Sequence, residues 1–301
     1  MPELPEVETV RRGLAALVIG KVVKAETHDT AKGFPNAEVD VNDFLLGALI
    51  TDVRRRAKVL LIDLSTGYSL MIHLKMTGQL VFVGDVRFGA GHPNDSLVNA
   101  LPDKSTRVTL EFEGGSKLFF NDQRKFGWVK LLPTLEIPNV DFMKKVGPEP
   151  LAADFTAEQF AQRFARRART NIKAAILDQS VIAGVGNIYA DESLWGAKVH
   201  PQRLVSSMTP AEFKKLYTEL RAVMNLAIEK GGSSNHTYVN AEGAKGSYMD
   251  LPACSAAKAL LARVVARRSK KCALRAVART SARTAKHFRL YLLLDDYLTD
   301  R

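Results

Sequence analysis

The sequence predicts an α+β protein: an N-terminal helix on an antiparallel β-sandwich, then a helical domain, then a basic tail. Three observations carry this reading. Between residues 21 and 120 the apolar residues come in short alternating runs separated by Gly turns, which argues an antiparallel sandwich or barrel. Between residues 156 and 230 they recur at helical spacing behind capping residues. After Asp250 the composition turns to Ala, Leu and Arg, with no acidic residue until Asp295.

A chain of 301 residues can bury a sizeable core and hold two domains. With 46% hydrophobic and 25% charged residues it has the composition of a soluble globular protein. Its acidic N-terminus lacks the basic start and apolar run of a signal peptide. The longest apolar runs, such as those at residues 14–19 and 59–62, are too short to span a bilayer. No membrane partner is expected. Two cysteines, Cys254 and Cys272, make no disulfide framework and suit a reducing compartment. The net charge of +11 invites a nucleic-acid reading, but its location matters more. Twelve Lys/Arg against three Asp after Asp250 give that segment +9, which leaves +2 for residues 1–250. DNA binding by the body must therefore come from placed charges.

Taken in order, Val7, Val10 and Leu14 recur at helical spacing behind Pro5 and several acids. Residues 21–26 read as a strand. Residues 47–58 lead into a second strand, 59–64, and Thr66-Gly67 turns into a third, 68–74. Residues 83–105 hold Gly, Pro, Asn and Asp without periodicity and read as a long surface loop. Residues 108–113 alternate again, and Gly114-Gly115 turns into residues 117–120. Four prolines between 133 and 150 mark a domain boundary. The divisions are thus 1–132, a linker at 133–150, a helical domain at 151–250 and a tail at 251–301. Helices are expected from the Thr156 cap, over 172–178, over 187–195, and from Pro210 to the Gly231-Gly232 stop.

The opening octet, Met1-Pro2-Glu3-Leu4-Pro5-Glu6-Val7-Glu8, carries the most chemistry. If Met1 is removed, the chain begins with the secondary amine of Pro2, which can form an iminium directly with an aldehyde carbon. Glu3 lies one residue away, close enough to move protons. A helix N-terminus there favours the neutral amine and steadies Glu3 and Glu6. The same residues also suit an ordinary acidic helix start with prolines in its first turn.

That octet, with Thr9-Val10-Arg11-Arg12-Gly13-Leu14 behind it, resembles the opening of the formamidopyrimidine-DNA glycosylase family, bacterial repair enzymes that excise oxidised purines. The strings His73-Leu74-Lys75-Met76-Thr77-Gly78 and Arg124-Lys125-Phe126-Gly127 repeat the resemblance. So do residues 171–179 and 183–192, which match the family's helix–two-turn–helix. The resemblance implies an N-terminal β-sandwich domain, double-stranded damaged DNA as partner, a monomer, and a bacterial cytoplasmic location. It also implies roles. Pro2 and Glu3 would act on the sugar, with Lys58 assisting elimination; read alone, residues 54–58 are a solvated basic edge or a functional one. Met76, Arg124 and Phe126 would fill the gap left by an extruded nucleotide, whose flipping costs a few kcal/mol. His73, Lys173 and Asn187 would contact phosphates, with Glu6 and Glu192 in support. The glycines at 184 and 186 suit a plain turn or a close approach to phosphate at a helix N-terminus. Residues 231–248, with Ser234, Thr237 and Tyr238, resemble the family's loop over the lesion; by themselves they are a polar loop.

The resemblance covers roughly residues 2–250. The family ends in a zinc finger with four cysteines, and here Cys254 and Cys272 stand alone, with His287 completing no set. A structural zinc needs four ligands, so no cofactor is expected. The tail has the composition of a coding frame read out of register near residue 250, or of a basic helical segment. A smaller departure lies before Arg107, where Lys104-Ser105-Thr106 replaces a segment that often holds a DNA-contacting His in the family. The implied activity is excision of oxidised purines with strand cleavage. A pyrimidine-directed endonuclease VIII-like enzyme, and a damage-binding protein impaired by the missing finger, are the rivals.

Overall fold

The computed structural model describes residues 1–92 and 94–232, all within one compact unit, Met1–Cys254. Two antiparallel sheets make the first half, as expected. One has the order β1-β7-β8-β5-β6, the other β2-β3-β4-β9. The strands are β1 (Val23–His28), β2 (Ile50–Arg56), β3 (Val59–Leu64), β4 (Tyr68–His73), β5 (Gly78–Val83), β6 (Arg87–Gly91), β7 (Thr106–Phe112), β8 (Lys117–Asp122) and β9 (Trp128–Pro133). Their inner faces share one core: Leu60, Ile62 and Ile72 from one sheet meet Val108, Leu110, Phe112 and Phe120 from the other.

Strand β3 is apolar on both faces because both are covered. Its outward residues Val59 and Leu61 pack with Met71 under Ile137, Trp128 and Phe142. Those covering residues include a 3₁₀ turn, Thr134–Asn139, and the short helix α3 (Asp141–Lys145). A short helix, α2 (Glu38–Asp40), precedes a π-turn between β1 and β2.

Four strands escaped the sequence reading: β2, β5, β6 and β9. Residues 50–56, read as a lead-in, form β2, paired with β3 from Ile50↔Leu64 to Arg56↔Val59. Residues 83–105 are not one loop: they contain β6 and a 3₁₀ turn at Asp95–Leu97. The reason is glycine. A Cβ on Gly91 would sit 2.8 Å from Gln79 Cα, and one on Gly89 2.9 Å from Leu97. Small residues there permit close backbone approach while erasing the alternation that marks a strand.

Helix α1 (Leu4–Val18) joins the two halves. Val7, Val10, Leu14 and Val18 enter the sandwich core, and Leu4 enters the core of the helical half. Burying each such side chain contributes about 1.5–3 kcal/mol. The helical half comprises α4 (Ala157–Phe164), α5 (Ile172–Leu177), α6 (Asn187–Ala197) and α7 (Pro210–Glu229). Capping boxes start α4 at Thr156/Gln159 and α7 at Thr209/Glu212. Phe160, Phe164, Ile176, Tyr189, Leu216 and Met224 fill the core between them. No helix among the described residues is long and apolar enough to cross a membrane. Ser234, Thr237 and Tyr238, both cysteines and the tail lie outside the described residues.

Candidate active site and DNA-facing surface

The N-terminal segment is gripped by a turn more than 180 residues away. Glu3 N-caps α1: its backbone N–H donates to Glu6 Oε2 at 2.8 Å. Its carboxylate accepts from the Gly186 amide at 2.7 Å and the Ile188 amide at 3.0 Å. The backbone of Leu4 donates to the Gly184 carbonyl at 3.0 Å. Tyr189 Oη donates to Glu6 Oε1 at 2.6 Å. The glycines are needed for this fit. Gly184 has φ +79°, and a Cβ there would lie 2.6 Å from Leu4 Cβ. A Cβ on Gly186 would run into the Glu3 carboxyl group. The close approach read from the sequence is present, but two amides at the start of α6 hold a protein carboxylate in place of a phosphate.

Pro2 is buried beside this clamp, and Met1 in front of it is 57% exposed. Burial and the neighbouring Glu6 raise the Glu3 pKa to about 7, against the pull of Lys58 and the two amides. Near neutral pH this carboxyl can therefore both give and take a proton. Lys58 is buried too and donates to the Val185 carbonyl at 2.9 Å. Burial pushes its ammonium below the usual lysine range, and Glu3 and Glu6 partly restore it.

His73, at the end of β4, is buried against Trp128 and Phe142. Its Nδ1 accepts from the Lys75 amide at 3.0 Å. Burial, Lys75 and Lys58 lower its pKa to about 3. It is thus a neutral imidazole whose Nε2–H is left as a donor.

Met76, Arg124 and Phe126 form one surface cluster. Met76 is 42% and Phe126 47% exposed, unusual for large apolar side chains. Arg124 Nη1 lies 3.2 Å from Met76 Sδ, and its guanidinium sits 5.0 Å from the Phe126 ring centre. The two turns that present them are tied by Asp122, which the sequence reading passed over. Its Oδ2 accepts from the Phe126 and Gly127 amides at 2.8 and 2.7 Å. Its Oδ1 accepts from the Arg124 amide at 3.1 Å and from the Thr77 hydroxyl.

The other expected phosphate ligands lie in the helical half. Asn187 is exposed at the start of α6, and Glu192 is buried on the same helix. Lys173, on α5, is paired with Asp191 Oδ1 at 2.7 Å, so a phosphate there meets a lysine already engaged. Two further residues were missed. Arg107 is buried, bonded to Asp29 and to the carbonyls of Asp122 and Lys104 at 2.7 Å. His92, in the expected loop, is held below its ordinary pKa by burial and by the N-terminal ammonium, against the pull of Asp122. Its signal was a Gly-His-Pro step after a glycine strand.

The N-terminus is thus clamped by a glycine turn, on a two-sheet domain joined to a helical one. Residues 1–129 match the formamidopyrimidine-DNA glycosylase N-terminal domain and residues 146–239 its H2TH domain. Formamidopyrimidine-DNA glycosylases of Streptococcus mutans and Pediococcus pentosaceus are 39% and 43% identical over 251 residues, covering 83% of this chain and 86% of each relative. A solved complex of Lactococcus lactis Fpg with abasic-site DNA superposes with TM-score 0.71 at 31% identity, covering 82% of this chain and 86% of that one. A second, with DNA containing Fapy-dG, gives 0.72 at 30% identity, with 83% and 87% covered. The chain belongs to the formamidopyrimidine-DNA glycosylase family.

Proposed function

We propose that the protein is a bifunctional DNA glycosylase and abasic-site lyase that removes oxidised purines, such as 8-oxoguanine and formamidopyrimidines, from duplex DNA. The observation that carries this is the clamp: Glu3 beside Pro2, with a pKa raised to about 7, and Lys58 in the same buried pocket. After Met1 removal the Pro2 nitrogen attacks C1′ of the extruded nucleotide. The glycosidic bond breaks and its electron pair leaves with the base, which takes up a proton. Glu3 holds and relays protons at the sugar. The C1′–O4′ bond then opens: its electron pair goes to O4′, which takes a proton from Glu3, and the Pro2 nitrogen and C1′ become an iminium. That iminium acidifies C2′, and loss of the C2′ proton expels the 3′ phosphate; a second elimination expels the 5′ phosphate. Lys58 serves these proton transfers. Met76, Arg124 and Phe126 occupy the space left by the base, which offsets part of the extrusion cost. His73 and Asn187 hold backbone phosphates as neutral donors, and Lys173 does so in competition with Asp191. Ser234, Thr237 and Tyr238, outside the described residues, are given the lesion-recognition role by the family resemblance.

In this reading residues 1–132 hold the chemistry and residues 151–250 the DNA grip. The protein works as a monomer without a metal, because two isolated cysteines cannot supply four zinc ligands. Borohydride reduction during reaction with duplex containing one 8-oxoguanine tests the chemistry. A covalent protein–DNA product linked at Pro2 is expected. Binding without any trapped product would favour a damage-binding protein. A preference for oxidised pyrimidines would favour the endonuclease VIII-like branch. A full equivalent of zinc in the purified protein would overturn the metal-free reading.

A further inference from the structure

The turn that delivers Lys58 is strained and braced. Strands β2 and β3 are joined by Ala57 and Lys58 alone, with Arg56 paired to Val59. Ala57 has φ +53°. Such a backbone costs a residue with a Cβ about 1–2 kcal/mol, and glycine is the usual choice at the first position of a two-residue hairpin turn. A strained position persists only where its surroundings over-determine it.

Here the surroundings come from 92 residues further along the chain. Glu149 Oε1 accepts from the Ala57 amide at 2.5 Å and from Arg56 Nη1 at 2.8 Å. Its Oε2 lies 2.8 Å from Arg55 Nη2. Arg55 completes the brace from the other side, donating from Nη1 to the Ala57 carbonyl at 2.8 Å. Thus both polar groups of the Ala57 residue are held, the N–H by Glu149 and the C=O by Arg55. Arg55 also reaches Glu8 Oε2 on α1 at 3.2 Å. Arg56 Nη2 donates to the Gly147 carbonyl at 2.6 Å, beside Glu149 in sequence.

We propose that Glu149 is a positioning residue for the elimination chemistry: by holding the Ala57 turn it places the Lys58 ammonium in the pocket shared with Glu3. The inference rests on the role given to Lys58 above. It assigns to a residue outside the pocket the task of keeping that pocket assembled, and it makes residues 147–149 part of the device that aims the lysine.

The test uses the full chain and duplex with a single abasic site. Wild-type protein is first trapped with borohydride; absence of an adduct there would sink the proposed function and not this inference. Glu149→Ala is expected to slow single-turnover strand cleavage by about 10- to 100-fold, the scale of a reacting group displaced by about 1 Å. Trapping at Pro2 is expected to stay near wild type. The alkaline limb of the cleavage profile should move to higher pH, because a lysine released from burial regains its usual basicity. Glu149→Gln, which keeps an oxygen for the Ala57 amide, should recover most of the rate. Placing Glu149→Ala on an Ala57→Gly background supplies the second arm, since glycine adopts positive φ without cost; there the loss should shrink. An unshifted profile with wild-type cleavage in Glu149→Ala, an equal loss of trapping and cleavage, or the same loss in both backgrounds would overturn the inference.

Discussion

Glu3 and Asp122 are both buried carboxylates that collect backbone amides, yet they do opposite work. Glu3 draws two amides from the α6 turn and keeps its own carboxyl beside Pro2. Asp122 draws three amides from its own turn and points other side chains, Arg124 and Phe126, away from itself. At the clamp, burial beside Glu6 outweighs the amides, and the group titrates at about 7. At the wedge the carboxylate also gathers the Thr77 hydroxyl and anchors both turns. A group that must exchange protons is buried next to a like charge. One that must only hold a shape is surrounded by donors.

Substitutions can break this contrast from either side. Pro2→Gly should have the largest effect, lowering excision by about 10²–10⁴-fold, the range for losing a group that acts at the reacting atoms. Binding to damaged duplex should survive, measured by gel shift beside a trapping assay. Full activity in protein that retains Met1 would refute the mechanism. Gly186→Ala attacks the clamp without touching the reacting atoms, since the new Cβ collides with Glu3. Excision should fall by about 100-fold. An unaltered rate in a folded variant would mean that the Glu3 carboxyl is not used where it lies.

Glu3→Gln tests the titration. The folded pKa of Glu3, about 7, lies above its ordinary 4.5, so the native state binds the extra proton between these values. Wild-type stability should therefore rise as pH falls from about 7 to 4.5, by roughly 3 kcal/mol from this group. Denaturant midpoints of the Gln variant should lack that component; identical pH dependence in both proteins would remove the assignment. On the other side, Asp122→Ala should destabilise by about 1–3 kcal/mol, because several buried donors lose their acceptor. Met76→Ala and Phe126→Ala should change stability least, by about 0.5 kcal/mol or less, yet weaken base extrusion in a fluorescent-nucleobase assay. A loss of about 2–5 kcal/mol would mark them as core residues and end the wedge assignment.

Legibility in the sequence followed the range of the interaction. Helix α1, the capped starts of α4 and α7, and the exposed Met76 and Phe126 turns were readable because caps, glycines and spacing act within a few residues. Strand β6 was hidden because Gly89 and Gly91 serve close packing and break the alternation. The glycines at 184 and 186 were read as a plain turn or a close approach to phosphate, and it is the Glu3 carboxylate that comes close. The object approached, Glu3, could not be named, because nothing local links residue 3 to residue 186. Lys173 looked like a free cation until α6 brought Asp191 beside it. Glu149 gave no signal at all among the prolines of its segment, since its partners sit on a hairpin 92 residues earlier.

The clamp also sets an order of events in the life of the chain. Pro2 is buried and Glu3 is held by amides at 186 and 188, so the grip cannot close until those residues have been made. At roughly 5–20 residues per second, residue 188 follows residue 2 by about 10–40 s. Through that interval the N-terminus hangs free of the clamp. Once α6 closes over Glu3, Pro2 is buried while Met1 stays exposed, and a retained methionine leaves the Pro2 nitrogen an amide.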